Sequence, residues 1–234
     1  MKFTAEGPLA VPLWIDGHPY VTVGEGLLDV TDPVTGAALR RVPLGSSDEA
    51  ARATMAAVAA APEWDGRGPA ERRSSLAALA AALAGLTSHF AGLVAAETGW
   101  EPEAAAAEVA AAVAALEHPP ADGQTGVSVL IADATAPLRG LVQGAAAALA
   151  AGGTVVLKPS PRAPAAAYAL CELSARVAWP PGVLNLVHGD EAAIEGLCAQ
   201  AGVERVEFRG EAHLADRIAA IAARHGKILV RPVR

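Results

Sequence analysis

Residues 152–161, GGTVVLKPSP, limit the possible folds more than any other stretch. Thr154, Val155 and Val156 have high strand propensity, the run continues through Leu157 to Lys158, and Pro159 stops it because proline cannot donate to a ladder. An apolar, alanine-heavy segment precedes it over residues 138–151, closed by Gly152 and Gly153, which can end a helix. A second helical stretch follows at 163–177 and a second apolar run at 183–187. Helix, strand, helix and strand with short connections predict a parallel sheet with crossover helices, since a tight hairpin cannot join parallel strands. Such a sheet holds its ligands at the carboxyl ends of its strands, where Lys158 stands.

The rest of the chain extends this pattern. Residues 1–45 read as short strands and turns: Trp14-Ile15-Asp16-Gly17 carries one turn signal, Asp32-Pro33 with Gly36 carries another, and 39–44 is a short strand. Ser46-Ser47-Asp48-Glu49 starts a helix, with acids where the helix dipole favours them, expected to run to about Ala60. Pro69 opens a second, with Leu76, Leu79 and Leu83 at helical spacing and Gly85 at its end. Two more are expected at 88–98 and 102–117. After a polar connection at 118–125, strands are expected at 127–131, 154–157, 183–187, 205–208 and 227–230. Helices at 138–151, 163–177, 191–200 and 211–224 separate them. The reading is one domain: residues 1–117 form a hairpin and flanking helices, and residues 126–230 form the parallel-sheet core.

Composition narrows the function. The 234 residues are 53% hydrophobic but only 4% aromatic, with alanine filling much of the apolar share, so the core must rest on strand Val, Leu and Ile. A formal charge of −7 argues against nucleic acid or an anionic membrane surface as partner. Cys171 and Cys198 have neither metal-type nor disulfide-framework spacing, and no metal site is expected. The first residues lack a secretory pattern and no apolar run would span a bilayer, which makes the cytoplasm the expected location.

LAAGGTVVLKPSP resembles the coenzyme-domain signature of aldehyde dehydrogenases, in which a strand ends in Lys-Pro-Ser-Glu. PPGVLNLVHGD at 180–190 resembles that family's next strand and turn, and VERVEFRG at 203–210 the following one, which normally ends Phe-Thr-Gly-Ser. WIDG, DPVTG, PAERRSSLAALAAAL and ETG at 97–99 resemble its opening hairpin and first helices. The resemblance implies an α/β fold: a Rossmann-like parallel sheet with helices on both faces, plus an N-terminal hairpin and helical segment. It also implies that the chain is truncated to the coenzyme-binding domain, with the family's nucleophilic cysteine and base glutamate lying beyond its last residue, and that a longer excursion is missing at 118–125.

What the resemblance implies for the site is mixed. Lys158 matches the lysine that contacts the adenosine ribose of NAD, and Ser160, Gly189 and Gly210 are the accompanying candidates for cofactor contact. Lys158 reads either as that ribose contact or as a strand-end lysine retained by descent. Pro161 stands where the family's ribose-sharing glutamate would, and it has no side-chain acceptor. After Gly189 come Asp190 and Glu191 rather than closely spaced glycines. Glu211 follows Gly210 at a helix start, where it is expected to occupy the place of a phosphate. Thr135 stands in place of the asparagine that holds the developing oxyanion, beside the adverse charge of Asp133. No catalytic residue is therefore expected, and NAD or NADP is expected to bind weakly or not at all.

The remaining polar residues read more simply. Cys171 and Cys198 fall inside expected helices, as small buried apolar residues do. The 6 histidines form no ligand-type cluster, although His188 and His213 lie near strand-to-helix turns, and the 4 tryptophans suit core or rim packing. In helix 211–224, Leu214, Ile218 and Ile221 share an apolar stripe, and Ala215, Ala219 and Ala222 form a strip that would let another helix approach. The resemblance makes this the helix that pairs across the family's dimer axis; the alternative is an ordinary surface helix. The function expected is a catalytically incomplete, non-catalytic subunit pairing with itself or with a full-length aldehyde dehydrogenase. The alternative is the NAD-binding half of an enzyme completed by another chain.

Overall fold

Strand residues 127–132 are buried on both faces, which is why they alternate so little. Val127, Val129 and Ile131 join one apolar cluster, Leu130 and Ala132 the other. The computed structural model describes residues 9–22 and 26–231; what the sequence predicts for 1–8, 23–25 and 232–234, including the character of the first residues, lies outside them.

The parallel strands are β5 (Val127–Ala132), β6 (Thr154–Lys158), β7 (Leu184–Leu186), β8 (Val203–Arg209) and β9 (Leu229–Val230). β1 (Leu13–Ile15) and β2 (His18–Tyr20) form a hairpin that extends this sheet, β1 pairing antiparallel to β7 through Trp14 and Leu186. Asp16 and Gly17 turn it with φ of 54° and 74°, the left-handed pair that suits a two-residue hairpin. The order is β2-β1-β7-β6-β5-β8-β9, while β3 (Leu27–Thr31) and β4 (Ala38–Pro43) form a separate two-stranded sheet. From β5 the chain steps outward to β6 and β7, then returns across β5 to β8. The reversal puts the crevice between the carboxyl ends of β5 and β8.

The helices are α1 (Ser47–Gly66), α2 (Gly68–Gly85), α3 (Thr87–Thr98), α4 (Pro102–Glu117), α5 (Arg139–Ala151), α6 (Ala165–Arg176), α7 (Glu191–Cys198) and α8 (Ala212–Arg224). α1, α7 and α8 cover one face of the sheet. α5 and α6 cover the other, with α2, α3 and α4 stacked outside them as a further layer. Ser46 opens α1 as expected, its hydroxyl accepting the Asp48 N–H while Glu49 accepts the Ser46 N–H.

α1 does not stop near Ala60; it continues through Pro62 to Gly66. Pro62 forfeits a backbone bond, but the last turn carries Trp64 into the core, where Nε1 donates to the Leu149 carbonyl at 2.9 Å and the ring lies 5.4 Å from that of Trp179. Burying one indole outweighs one missing N–H bond. Among the described residues no single helix is long and apolar enough to cross a membrane.

Candidate functional site in the cleft at the strand ends

A cleft of about 560 Å³ opens at the carboxyl ends of β5, β6 and β8. Its apolar floor includes Ile131, Phe208 and Ile194; Asp133, Thr135, Lys158, Ser160 and Asp190 stand on its walls. Lys158, where the sequence places a candidate site, lines this cleft. What occupies the crevice was not foreseen.

The carboxylate of Asp133 lies across it. Oδ2 accepts the backbone N–H of Glu211 at 2.7 Å, and Oδ1 accepts both the N–H and the hydroxyl of Thr135, at 2.8 and 2.5 Å. The start of α8, where a bound phosphate would meet free N–H groups, already faces an anion belonging to the chain. Gly210 makes the fit possible: a Cβ there would lie 2.2 Å from Asp133 Oδ2. Gly210 thus accommodates this carboxylate and does not itself line the cleft. Glu211 also lines the cleft, its carboxylate 3.2 Å from His213, and it is the Asp133 carboxylate that meets the backbone N–H at the start of α8. Thr135 cannot stand in for an oxyanion donor while its hydroxyl is given to Asp133.

Lys158 ends β6 and is buried, 3% exposed. Its Nζ donates to the carbonyl of Pro159 at 3.1 Å, and no carboxylate among the described residues forms an ion pair with it. Burial lowers its pKa to about 8, against the opposing field of Asp190. Ser160 is buried beside it, its hydroxyl accepting the Arg162 N–H at 3.2 Å and so closing the turn into α6. Gly189, with φ of 131°, lies against Gly45 and Ala193, and a Cβ would come 2.8 Å from Ala193 Cβ. Its freedom serves packing against the approach to α1, and it too is off the cleft lining. Of the four cofactor candidates, the structure brings Lys158 and Ser160 together in the cleft and leaves Gly189 and Gly210 behind its wall.

His188 is buried, Nε2 lying 2.9 Å from the Pro12 carbonyl, so Nε2 carries the proton and Nδ1 is a buried acceptor without a partner. Burial and the neighbouring Lys158 charge push its pKa down to about 3. Both cysteines are buried: burial raises the Cys171 thiol far above its ordinary range and Cys198 to about 11. Neither offers a thiolate.

The small-residue strip on α8 is turned inward. Ala215, Ile218 and Ala222 are buried against the sheet, Leu214 and Ala219 half-buried, and the exposed side carries Asp216, Arg217 and Arg224. Arg217 pairs with Glu191 and Arg224 with Glu195, both on α7. Ala215 and Ala222 join the apolar cluster between α8 and the sheet, together with Ile218 and Ile221.

Two further charged groups escaped sequence reasoning. Glu207, buried on β8, is gripped by Arg205 at 3.2 Å and Arg209 at 2.9 Å, and Arg209 also donates to Gln143 of α5 at 2.8 Å. Charges at alternate positions, Arg205, Glu207 and Arg209, in a strand that also carries Val203, Val206 and Phe208 were the available signal. Glu97, at the end of α3, accepts the Ala165 N–H that opens α6 and lies 2.9 Å from Arg40.

The aldehyde dehydrogenase family model matches residues 20–231. The chain is 30% identical to the malonate-semialdehyde dehydrogenase of Pseudomonas aeruginosa, over 85% of this chain and 44% of that protein. It is 32% identical to human 2-aminomuconic semialdehyde dehydrogenase, over 86% of this chain and 46% of that protein. The crystal structure of Escherichia coli lactaldehyde dehydrogenase superposes on 97% of this chain with a TM-score of 0.89 and 27% identity, using 52% of its own length. The chain spans about half the length of the curated relatives it matches.

Proposed function

The chain belongs to the aldehyde dehydrogenase family, and we propose that it is a non-catalytic member acting by association. In this reading it keeps the coenzyme-domain scaffold, does not use the dinucleotide crevice, and pairs in the cytoplasm with itself or with a full-length aldehyde dehydrogenase. The observation that carries it is the Asp133 carboxylate seated on the Glu211 N–H at the reversal between β5 and β8. A pyrophosphate brought there would meet a like charge and lose the donors it needs.

Two features favour association as the remaining role. β9 is an edge strand of two residues, preceded by Ile228 at 83% exposure, so an unpaired edge and an apolar side chain face outward together. The charged outer side of α8 is less suited to helix pairing than the sequence predicted, which shifts the expected contact to this edge. Co-expression with a full-length relative tests the reading. Co-elution, or a dimer of the chain alone, supports it; a monomer that leaves the relative's elution and activity unchanged overturns it.

A second reading is the NAD-binding half of an enzyme completed by another chain, favoured by Lys158 on the wall of a cleft with an apolar floor. Calorimetry separates the two. Heat of binding with NAD or NADP at millimolar concentration supports the second, and its absence removes it.

A further inference from the structure

A second cavity, of about 470 Å³, shares no lining residue with the cleft at the strand ends among the described residues. Residues 9–12 form one wall, held beside β4 by the Val11 N–H, which donates to the Arg41 carbonyl at 2.7 Å. Leu39 of β4, Leu93 of α3 and Ala169 of α6 supply apolar surface. Arg41 sends its side chain to Asp29, and Arg40, its neighbour in the strand, borders the cavity.

Two charged groups on the lining are under-used. Arg40 makes no hydrogen bond among the described residues. Its Nε lies 2.9 Å from Glu97 Oε1, yet both atoms are buried without a hydrogen-bond partner, because they are poorly aligned. Burial also raises the Glu97 pKa to about 7, so near neutral pH that carboxyl offsets the arginine charge only in part. Glu97 accepts the Ala165 N–H at 3.0 Å, which fixes the guanidinium near the start of α6. Glu172 borders the cavity from the same helix, about 10 Å, or two turns, farther along its axis than Ala165. The Tyr168 hydroxyl donates to one Glu172 oxygen at 3.2 Å, and no cation among the described residues pairs with this carboxylate.

We propose that this cavity binds a linear ω-amino carboxylate, with its carboxylate on Arg40, its methylene chain along Leu39, Leu93 and Ala169, and its ammonium on Glu172. A guanidinium offers paired N–H donors that fit a carboxylate side by side. The span along α6 suits charges set about five methylenes apart; an α-amino acid holds the same charges too close together. A plain carboxylate would leave Glu172 without a cation, and a plain amine would leave Arg40 without an acceptor, so the pair of charges selects against both.

The site goes beyond the association reading, and neither co-elution with a relative nor binding of NAD bears on it. Calorimetry on the intact protein with ε-aminocaproate tests it, with caproate, hexylamine and glycine as comparison ligands. ε-Aminocaproate is expected to bind about tenfold more tightly than each of the three. Glu172→Gln, which keeps an acceptor for Tyr168, should remove its advantage over caproate. Absence of saturation by ε-aminocaproate at millimolar concentration overturns the proposal, as does caproate binding equally well or a Glu172→Gln protein that keeps the preference. The ligand series on the parent protein alone decides the matter if the variant does not fold.

Discussion

Asp133 Oδ2 lies 2.7 Å from the backbone nitrogen of Glu211, a hydrogen bond that ties the end of β5 to the start of α8 across 78 residues of chain. It turns the sheet's crevice from a place that would receive an anion into one that contains its own. The residue that allows it has no side chain, and the residue that shares it, Thr135, gives up its hydroxyl in doing so.

Asp133→Ala should expose the consequence. The variant leaves the N–H groups of Glu211 and Thr135 without their acceptor, at a cost of about 1–3 kcal/mol read from urea unfolding. It also vacates the anion's position, so calorimetry should find NAD or inorganic pyrophosphate binding more tightly than to the parent. Equal affinities in the two proteins would show that the carboxylate is not what closes the crevice.

Glu97 predicts how stability varies with pH. Burial raises its pKa from 4.5 to about 7, outweighing the Ala165 N–H and the charge of Arg40, which is close but poorly aligned for a hydrogen bond. The folded protein thus holds this proton more tightly than the unfolded chain does. The resulting stabilisation is complete below 4.5 and is lost as pH rises through about 7. The change across that window should be about 1–3 kcal/mol. In Glu97→Gln, which keeps an acceptor for Ala165, denaturant midpoints at the two ends of the window should differ less than in the parent.

The Glu207 carboxylate is expected to dominate the open side of β8. Glu207→Gln leaves Arg205 and Arg209 facing each other without a counter-charge, for a loss of about 2–3 kcal/mol, less than for a deeply buried pair because both guanidinium groups reach solvent. Gly144→Ala puts a Cβ 2.2 Å from Leu130 Cδ1 and 2.8 Å from Glu207 Oε1. Its cost should be about 1–3 kcal/mol. Because the two residues meet, the double variant should depart from the sum of the single ones. Additive losses would mean that they do not interact.

The cysteines give the simplest check. With both thiols buried and their pKa values raised, the folded protein should resist a thiol-disulfide reagent at neutral pH, and both should react once denatured. Rapid reaction of either in the native state would reveal an accessible thiolate and reopen the question of a nucleophile.

Residues 152–161 were enough to specify a parallel sheet, since β propensity, a stopping proline and flanking alanine helices are local properties that act along the chain. The strand-end position of Lys158 followed from the same run, and so did the expectation of a site there. Helix ends were legible where a capping residue or glycine marked them, as at Ser46 and Gly99. They were not legible at Pro62, where distant burial of Trp64 overrides a local breaker. Only tertiary structure decided which carboxylate meets α8. Asp133 and Glu211 are both acidic, and their order in the sequence favours the one beside the helix. The parallel register that aligns Ala132 with Arg209 brings the other within hydrogen-bonding distance. The same holds for the alanines of α8, whose spacing fits an outer contact or an inner one equally well until the sheet takes them. Propensity depends on neighbours in the chain, whereas charge and burial depend on neighbours in space, and those are set by the fold.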